Sequence, residues 1–512
     1  MRKFLDSITK ELPDLIMHWG IETLDELRQQ IGRAIFNITP DKQQRERKPT
    51  SAPPTDLLKD GTPIGEYRSS WRTRTVYLPI SDRRHKIVQG ATRMGKTEWA
   101  LNYCLNLAKV GRGFAYLDNA DGEAVDRLLK ALPDTVLDRV VLLDFDKLHP
   151  IPANIYSSGN NDIFTQNRLT NSWVTFFIDN FGIDDQYMTQ ELIRYGCRLA
   201  FSVPGNTLEE VIGCIERPEI RHRLLEQCKE RDVVEWWYSF ETKYSEARQR
   251  EIMASFMRRA GLIKSDINLR HIVCQRPKAP MEYRKWVDND YIILVKAKET
   301  LGRLAVRTIM SIVVLSIWSA IMGRDDIPIH QRKSFMVIAD EPHTWLSNNE
   351  QVLDDIFSKA AKYGLGMICL FQSTKQISKE SRPLLSIILD NKPDIIMFRS
   401  DSEIKLTGFN IQNLPRYEFI ASIDGYQPFL CKSPGQIATP YNRSLFTKEM
   451  QEHFGRPYRD VAAEIDRRYT TTCDANSRER TLELQQNGSI DTANPDCSKE
   501  ILVSSDSSLR IG

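Results

Sequence analysis

The sequence has none of the closely spaced cysteine and histidine groups that bind zinc in proteins. Its nine cysteines stand singly, and no C-x-x-C pair occurs among them. Cysteines scattered in this way are typical of a reducing compartment, where thiols act as small apolar residues of the core. The spacing therefore predicts neither a zinc site nor disulfide bonds.

The sequence also has almost no excess of charge of either sign. Its 70 lysine and arginine residues nearly balance its 68 aspartate and glutamate residues, which leaves a formal net charge of +2. A protein without a general positive field must contact nucleic acid through a local patch, a channel or an oligomeric ring. The net charge therefore neither supports nor excludes DNA as a partner.

The N-terminus lacks the pattern of a secretory signal, because charged residues occur throughout positions 1–10. The longest apolar stretch covers residues 304–322 and is interrupted by polar residues, namely Arg307, Thr308, Ser311, Ser316 and Ser319. Because it also lies between two predicted strands, we expect a buried core helix rather than a membrane span. With 512 residues, 41% of them hydrophobic, we expect a soluble protein of two or three domains.

One motif has the form of a phosphate-binding loop. The pattern G-x-x-x-x-G-K-[ST] is fulfilled by Gly90-Ala91-Thr92-Arg93-Met94-Gly95-Lys96-Thr97. A strand-like run precedes it and a helix-like run follows, so backbone N–H groups and a helix N-terminus can point at a phosphate. We expect Lys96 to contact the β- and γ-phosphates of a nucleoside triphosphate, and the Thr97 hydroxyl to bind Mg²⁺.

A second motif supplies the carboxylates that such a site needs. The apolar residues 335–339 are followed by Asp340 and Glu341, and ligands of open α/β sheets bind at the carboxyl ends of strands. In a Walker B element of this form the first carboxylate holds hydrated Mg²⁺ and the second accepts a proton from the attacking water. The alternative is an acidic pair at a helix N-terminus. We favour the strand end, which predicts Asp340 as a metal residue, Glu341 as a catalytic base and the protein as a hydrolase.

Gln372 closes the next predicted strand, which covers residues 367–372. Because parallel strands end at the same edge of a sheet, its amide is expected near the γ-phosphate. There it could orient the lytic water or sense the phosphate, which makes it a candidate catalytic residue. The alternative is an amide that only caps the strand.

Strands and helices alternate from residue 83 onward. Predicted strands cover residues 86–89, 114–118, 140–144, 291–296, 335–340, 367–372 and 394–398. Predicted helices between them include residues 97–108, 124–132, 300–322 and 349–363. Short apolar runs separated by helices are typical of parallel sheets that are buried on both faces. We therefore predict an α/β protein of the P-loop NTPase class, with a mostly parallel sheet and an inserted all-helical domain.

Changes of composition divide the chain into six predicted segments. They are amphipathic helices at 1–40, a solvated linker at 41–64, the first part of the P-loop domain at 65–156, an all-helical insertion at 157–282, the second part of the P-loop domain at 283–466 and a disordered tail at 467–512. The apolar stripe of the N-terminal helices could pack on the main domain or dock a membrane or protein partner.

The predicted insertion combines arginines with neighbouring aromatic residues. It contains Arg194, Arg198, Arg221, Arg223, Arg248, Arg250, Arg258 and Arg259, together with Trp236-Trp237-Tyr238. Such a mixture could contact nucleic acid through charge and stacking. Ordinary packing is the alternative, and acidic neighbours dilute any basic patch.

Taken in order, these motifs resemble the HerA/FtsK (RecA/HerA-like) branch of P-loop ATPases, and more closely the TraG/TraD-type coupling proteins of conjugative type IV secretion. The resemblance covers residues 83–423. Besides the phosphate-binding loop it is carried by Tyr116-Leu117-Asp118-Asn119-Ala120-Asp121-Gly122-Glu123, Val141-Leu142-Leu143-Asp144, Ala339-Asp340-Glu341-Pro342-His343, Lys362-Tyr363-Gly364-Leu365-Gly366 and Phe371-Gln372.

The resemblance implies ATP and Mg²⁺ as cofactors, hydrolysis of ATP at the subunit interfaces of a homo-hexameric ring, and DNA drawn through the central channel. Many relatives carry an arginine before the Lys-Tyr-Gly run that reaches into the neighbouring site, and Ala361 occupies this position here. Lys362 or Arg399 could replace it. Arg399 is favoured because a guanidinium binds two phosphate oxygens at once, whereas an ammonium acts as a point charge.

Two hypotheses on function follow from the resemblance. The first is a cytoplasmic, ring-forming DNA translocase of conjugation or of a mobile element, or a related viral DNA-packaging motor, with a relaxase or secretion-channel proteins as further partners. Coupling proteins usually begin with membrane-spanning helices and none is expected here, so contact with the inner membrane would need a partner protein. The alternative is a nucleotide-gated docking adaptor that recruits a relaxase or a secreted protein without moving DNA.

Overall fold

The computed structural model describes residues 52–69, 71–153, 163–181, 187–346, 350–373, 382–400 and 409–468. The N-terminal amphipathic helices expected at 1–40 lie outside the described residues. So do residues 41–51 of the linker expected at 41–64 and the tail from residue 469 onward.

The strands of the described residues form one sheet of eleven strands. In chain order they are β1 (Thr62–Arg68), β2 (Thr73–Leu78), β3 (Lys86–Gln89), β4 (Phe114–Asp118), β5 (Val140–Phe145), β6 (Ile292–Ala297), β7 (Phe335–Asp340), β8 (Leu365–Phe371), β9 (Asp394–Phe398), β10 (Glu418–Ser422) and β11 (Phe429–Lys432). Their order across the sheet is β2-β1-β11-β10-β9-β3-β8-β7-β4-β6-β5.

The strands from β9 to β5 in this order are parallel to one another. β3 lies between β9 and β8, and β8 separates β3 from β7. Nearly all residues of these strands are buried, which is why short continuous apolar runs mark them in the sequence. The predicted α/β class with a mostly parallel sheet is confirmed.

Helices cover both faces of this sheet. They are α1 (Lys96–Lys109), α2 (Glu123–Ala131), α3 (Ile163–Phe181), α4 (Tyr187–Phe201), α5 (Leu208–Glu216), α6 (Pro218–Gln227), α7 (Arg231–Lys243), α8 (Glu246–Ser265), α9 (Ile267–Val273), α10 (Tyr283–Asp288), α11 (Arg303–Met322), α12 (His343–Leu346), α13 (Glu350–Tyr363), α14 (Arg382–Asp390), α15 (Ser444–Phe454) and α16 (458–468). Apolar residues of α1 and α2 form one core cluster with one face of the sheet. Those of α3 to α11 form a second cluster with the other face.

Four antiparallel strands, β10, β11, β1 and β2, extend the sheet beyond β9, and the sequence patterns do not predict them. β1 contains a proline and a glycine, and β2 contains an arginine and two threonines, so neither strand shows a clean apolar run. The linker expected to reach residue 64 ends earlier, because Leu57 is already buried and β1 begins at Thr62. Trp99 of α1 fastens the extension, since its Nε1 donates to Ile64 O at 2.8 Å.

The residues described between β5 and β6 that form regular structure are helical. Residues 163–181 and 187–288 form α3 to α10 and contain no strand. α5 begins with a capping box, in which the Thr207 hydroxyl accepts from the chain and the Glu210 carboxylate accepts from Thr207 N at 2.7 Å. Because the apolar side chains of this region join those of the sheet in one cluster, it shares a core with the P-loop domain.

The long apolar stretch of the sequence forms α11 and is buried between the sheet and the helical region. Arg303–Asp326 is the one helix of the described residues that is long and apolar enough to cross a membrane, and 83% of its most apolar window is buried. Its polar side chains are satisfied within the fold; the Ser316 hydroxyl, for example, donates to Ile312 O at 2.7 Å. The prediction of a core helix is confirmed.

The arginines and aromatic residues of the helical region mostly serve packing and ion pairing. Trp237 is fully buried, and the Arg221 guanidinium lies 4.9 Å from its ring centroid. Arg221 also pairs with a carboxylate, because its Nε donates to Glu241 Oε1 at 2.7 Å. Of the aromatic run, Tyr238 alone is largely exposed, at 70%. These contacts favour packing over a nucleic-acid surface for this run.

The cysteines of the described residues are free thiols that are mostly buried. Burial raises the pKa of Cys214 to about 12, and it raises the pKa of Cys197 well above the usual value of a thiol. A buried thiol with a raised pKa is inert and packs as a small apolar side chain.

Candidate nucleotide-binding site

The phosphate-binding loop connects the end of β3 to the start of α1. Gly90 N–H donates to Phe371 O at 3.0 Å, which fastens the loop to the end of β8. Ala91 N–H donates to Arg399 O at 2.9 Å, which fastens it to the end of β9. Gly95 has a φ of 115°, a conformation that favours glycine. The loop can therefore curl around a phosphate with its backbone N–H groups pointing inward.

Lys96 of the phosphate-binding loop contacts both carboxylates of the second motif. Its Nζ donates a hydrogen bond to Glu341 Oε1 and lies 3.6 Å from Asp340 Oδ1. All three side chains are largely buried, with 9% of Lys96 and 20% of each carboxylate side chain exposed. Residues that are 245 positions apart in the sequence thus form one cluster at the carboxyl edge of the sheet.

The backbone after β7 holds Glu341 in an uncommon conformation. Asp340 is the last residue of β7, and Glu341 leaves the strand with a φ of 42°. The neighbouring strand secures it, because Glu341 N–H donates to Leu370 O at 3.0 Å. A non-glycine residue at positive φ stores strain, and such residues are concentrated at functional sites.

Gln372 follows β8, the strand that separates the two motifs. Because β8 pairs with β3 on one side and with β7 on the other, its end lies between the phosphate-binding loop and the acidic pair. The Thr92 hydroxyl donates to Gln372 Oε1 at 3.5 Å. The predicted position of this amide beside the loop is therefore observed, and its part in catalysis stays a prediction.

Burial dominates the electrostatics of the carboxylates at this edge. It raises the pKa of Asp340 to about 6, against the lowering effect of Lys96 and with a smaller raising effect of Glu341. Burial also raises the pKa of Asp118, the last residue of β4. Asp340 Oδ1 and Asp118 Oδ2 are buried and have no hydrogen-bond partner within the described part of the chain. Buried carboxylate oxygens without a donor suit a site for a divalent cation.

Mg²⁺ fits these residues as an ion that takes most of its ligands from a nucleotide and from water. Among the described residues, no group of three or more histidine, cysteine, aspartate and glutamate side chains is arranged to hold a metal. Mg²⁺ in nucleotide sites commonly uses one or two protein ligands together with phosphate oxygens. Thr97, partly exposed at the start of α1, and Asp340 are the residues that would supply them.

Three polar residues that the motifs do not single out lie around Glu341, and two of them link its backbone to the turn after β4. His343 Nδ1 lies 3.4 Å from Glu341 Oε2. Asn119 Nδ2 donates to Thr344 Oγ1 at 2.8 Å, and the Thr344 hydroxyl donates to Glu341 O at 3.0 Å. The turn after β4 is thereby tied to the end of β7. Asn119 and His343 belong to runs that carry the family resemblance, which is the one signal that the sequence offers for them.

A cleft of about 750 Å³ opens beside these residues. Its volume lies within the range of small-molecule sites, roughly 300–1,000 Å³. It is lined by the phosphate-binding loop, the turn after β4, Asp340, Glu341 and Gln372, and by Arg416 and Gln436 from the antiparallel extension. Tyr417 N–H donates to Met94 O at 2.9 Å and joins that extension to the loop. Arg416 stands in no motif, so only the fold reveals it as a cleft residue.

The two candidate trans-acting cations lie at opposite edges of the sheet. Arg399 follows β9, is exposed, and has its Nε 3.1 Å from Met94 Sδ in the phosphate-binding loop. Arg399 is not among the residues that line the cleft. Ala361 and Lys362 are exposed in the last turn of α13, at the edge where β8 begins. Contact of either cation with a neighbouring subunit stays a prediction.

Comparisons with known proteins identify the fold. No protein-family model matches the sequence, and a search of curated proteins gives no match. The bacterial conjugative coupling protein TrwBdeltaN70, in a trigonal form with sulphate, aligns with a TM-score of 0.51 at 15% identity, over 76% of this chain and 93% of that chain. TrwB in complex with the ATP analogue ADPNP aligns with a TM-score of 0.50 at 15% identity, over the same 76% and 93%. VirB4 of Thermoanaerobacter pseudethanolicus aligns with a TM-score of 0.48 at 15% identity, over 74% of this chain and 98% of that chain.

The chain has the fold of the coupling protein TrwB. The resemblance to coupling proteins that the motifs indicate is therefore confirmed at the level of the fold. At 15% identity the likeness to TrwB lies in the fold. The chemistry of this chain rests on its own residues around the cleft.

Proposed function

We propose that the protein is an ATPase that couples ATP hydrolysis to DNA translocation in conjugation or in the transfer of a related mobile element. The observation that carries the proposal is the meeting of Lys96 with Asp340 and Glu341 beside an open cleft. Gln372, on the strand between the two motifs, supports hydrolysis rather than passive binding. The fold shared with TrwB, which was solved with an ATP analogue, supports ATP as the nucleotide.

Binding of ATP changes the partner of Lys96 in this proposal. The loop N–H groups and Lys96 hold the β- and γ-phosphates, so the ammonium exchanges Glu341 for phosphate oxygens. Glu341 Oε1, freed from this contact, can accept a proton from the water that attacks the γ-phosphate. Gln372 orients this water, and His343 and Thr344 keep Glu341 in position.

Mg²⁺ neutralises charge that develops on the transferred phosphoryl group. Thr97 and Asp340 hold the ion from the two motifs. Asp340 suits this role because one of its oxygens is buried without a hydrogen-bond donor in the described residues.

We further propose that six copies of the chain form a ring that acts on DNA. A net charge of +2 gives the protein no general positive field that would attract DNA. A ring can instead hold DNA by enclosing it in a central channel. Arg399, exposed outside its own cleft, is the cation that would reach the neighbouring site. A relaxase or secretion-channel proteins would deliver the DNA, and the protein would work in the cytoplasm and reach the inner membrane through such a partner. A viral DNA-packaging motor would use the same ring.

Hydrolysis of ATP with and without single- and double-stranded DNA tests the proposal. We expect DNA to stimulate hydrolysis by the wild type, and Glu341→Gln to lower the rate by about 100-fold or more while ATP still binds. Lys96→Ala should lose both binding and hydrolysis. Lys59→Ala, which removes an exposed lysine paired with Asp56, is the matched control and should leave the rate unchanged. Absence of hydrolysis at a concentration where particle imaging shows rings would contradict the proposal.

A docking adaptor that recruits a relaxase or a secreted protein is the second candidate. Ala361, at the position where many relatives have a catalytic arginine, favours it. Glu341→Gln separates the two functions when DNA transfer is measured in cells. A motor loses transfer although the variant binds ATP, whereas an adaptor gated by binding alone keeps it.

A further inference from the structure

The hairpin formed by β1 and β2 ends in an exposed tryptophan surrounded by arginines. Trp71 is 93% exposed, the highest value among the large hydrophobic side chains of the described residues. Arg68, Arg72 and Arg74 stand beside it and are exposed as well. We call these four residues the basic hairpin tip. Trp71 belongs to neither core cluster of the described residues.

The arginines of the tip have no carboxylate to neutralise them. Within the described residues no aspartate or glutamate lies within ion-pair distance of Arg68, Arg72 or Arg74, and residues 67–75 contain no acidic residue. Some exposed arginines elsewhere do pair with carboxylates. Arg248 pairs with Glu251 at 2.6 Å, and Arg231 pairs with Glu235 at 2.6 Å. The tip therefore presents three uncompensated positive charges next to one aromatic face.

Three hydrogen bonds connect Ser69 with Arg72. Ser69 N–H and the Ser69 hydroxyl both donate to Arg72 O at 2.9 Å, and Arg72 N–H donates to Ser69 Oγ at 3.0 Å. Below the turn, Arg68 pairs with Thr73 and Tyr67 with Arg74 across the two strands. Because side chains alternate between the faces of a strand, Arg68 and Arg74 lie on opposite faces of the hairpin. β2 is the edge strand of the sheet, and four strands separate it from β3 and the phosphate-binding loop.

The geometry points to the basic hairpin tip as a binding site for single-stranded DNA, which lies outside the ATP cleft. A base of an unpaired strand can stack on the indole of Trp71, since every base has an aromatic face. The flanking phosphates can pair with the guanidinium groups of Arg72 and of Arg68 and Arg74, the last two of which lie on opposite faces of the hairpin. The inference deepens the proposed function, on which it rests for DNA as the partner, by naming the form of DNA and the element that holds it.

A lipid surface and a second copy of the chain fit the tip less well. An interfacial anchor needs a continuous apolar face, and Trp71 is surrounded by serine, threonine and arginine. An interface between copies needs a packed apolar centre with few charges, and the tip has three charges around one ring. Charge and stacking together match a polyanion with exposed bases.

Binding of the full-length protein to a labelled oligothymidylate tests the inference by fluorescence anisotropy. Trp71→Ala should weaken binding by about fivefold or more, because it removes the ring on which one base stacks. Trp71→Phe should restore most of the affinity, because phenylalanine keeps an aromatic face. The double change Arg72→Ala with Arg74→Ala should reduce the slope of log affinity against log salt by about 1.4, the value for two phosphate contacts on a single strand.

The matched controls remove similar side chains elsewhere. Tyr238→Ala deletes another exposed aromatic ring, and Arg248→Ala with Arg250→Ala deletes two exposed arginines that have acidic neighbours on α8. Both should bind the oligothymidylate like the wild type, and thermal unfolding should show that all variants are folded. Equal affinity of Trp71→Ala and Tyr238→Ala would overturn the inference, and so would a Trp71→Phe variant as weak as Trp71→Ala.

Two further measurements separate the other occupants. If Trp71→Ala loses binding to vesicles of anionic phospholipid and keeps its affinity for DNA, the tip is a membrane contact and the inference is wrong. If it changes the sedimentation of the protein and keeps its affinity for DNA, the tip is an interface between copies. The anisotropy assay needs no hydrolysis and can be repeated on Lys96→Ala. A wild-type protein that binds DNA through the tip but does not hydrolyse ATP would therefore contradict the proposed motor alone. A wild-type protein that hydrolyses ATP and binds DNA independently of the tip would contradict this inference alone.

Discussion

At the level of a single residue, Asp340 shows how a buried carboxylate that suits a cation lowers the stability of the protein when no cation is bound. Its carboxyl is buried at the end of β7, and burial raises its pKa to about 6. A pKa that is higher in the folded than in the unfolded protein contributes stability that is present at low pH and is lost as pH rises through the folded value. At neutral pH the ionised Asp340 should therefore destabilise the ligand-free protein.

Asp340→Asn should stabilise the ligand-free protein in a pH-dependent way. At pH 7.5 we expect the free energy of unfolding to rise by on the order of 1–3 kcal/mol, because the amide carries no charge to desolvate. The gain should shrink towards pH 5, where the wild-type carboxyl is protonated. Urea unfolding in the presence of a chelator measures both values.

The control for this prediction is Asp60→Asn, which changes an exposed carboxylate away from the cleft. It should leave unaltered the difference between the free energies of unfolding at pH 7.5 and at pH 5. A gain for Asp340→Asn that is equal at pH 7.5 and pH 5 would contradict the assigned cause. Added Mg²⁺ and ATP should reverse the order of stability, because the asparagine variant loses an ionic ligand of the metal.

The sequence predicts those site residues whose chemistry stands in a local pattern. Lys96 follows the second glycine of a fixed motif, and Glu341 follows a buried strand directly, so their neighbours in the chain define their surroundings. His343 stands two residues after Glu341, and the run that carries the resemblance includes it, whereas Arg416 cannot be found in this way. The proximity of Arg416 to the cleft depends on where the antiparallel extension lies in the fold, and a single sequence does not encode that placement in adjacent residues.

At the level of secondary structure, burial on both faces decides which strands the sequence reveals. β3, β4, β7 and β9 have the predicted bounds, because each is a short apolar run flanked by polar residues. β1 and β2 are exposed where they approach the hairpin turn, at Glu66, Arg68, Thr73 and Arg74, so their periodicity is weak. Arg68 and Arg74 also belong to the basic hairpin tip, so the element that is hardest to predict is the one available to a partner.

Arg324 joins the ends of several elements at the edge of the sheet opposite the cleft. It is fully buried, and its Nε donates to Asp288 Oδ1 at 2.8 Å. Its remaining donors satisfy carbonyl groups of α10, of the segment before β7 and of the end of α13, namely those of Val287, Lys333 and Tyr363. One guanidinium thus replaces water for four acceptors that the fold has buried.

Arg324→Met should lower the free energy of unfolding by about 3–5 kcal/mol, because it leaves Asp288 Oδ1 and three buried carbonyl groups without this donor, although Asp288 Oδ2 keeps its hydrogen bond from Arg284. Arg324→Lys should recover only a small part, since an ammonium cannot reach acceptors on three sides. Urea unfolding followed by circular dichroism gives the values. Arg248→Met, which breaks an exposed ion pair with Glu251, should cost less than about 1 kcal/mol. A cost for Arg324→Met as small as that of the control would show that water reaches these acceptors.

At the scale of the whole molecule, the sheet has a parallel half and an antiparallel half, and the two carry different functional residues. The parallel half carries the phosphate-binding loop, the acidic pair and the glutamine at one edge. The antiparallel half lines part of the cleft through Arg416, contacts the phosphate-binding loop through Tyr417, and carries the basic hairpin tip at its far edge. The predicted class and the parallel core follow from patterns in the sequence, whereas the second half follows only from the fold.

Assembly of the whole protein can be tested through Arg399, which is exposed beside the phosphate-binding loop and does not line its own cleft. We expect Arg399→Ala and Lys96→Ala each to be inactive alone. A mixture of the two should regain hydrolysis, with a maximum at equal proportions. A Lys96→Ala subunit can lend its intact Arg399 to the intact loop of an Arg399→Ala neighbour, which restores one complete site in a shared ring.

Lys96→Ala mixed with Glu341→Gln is the matched control for this complementation. Both changes damage a site from within the same subunit, because Lys96 and Glu341 contact each other in one chain. No ratio of these two variants can assemble a complete site, so their mixture should stay inactive. If the mixture with Arg399→Ala stays inactive as well, although imaging shows that both variants join the same rings, Arg399 acts on its own nucleotide. The cation that crosses the interface must then be sought elsewhere, with Lys362 at the opposite edge of the sheet as the next residue to change.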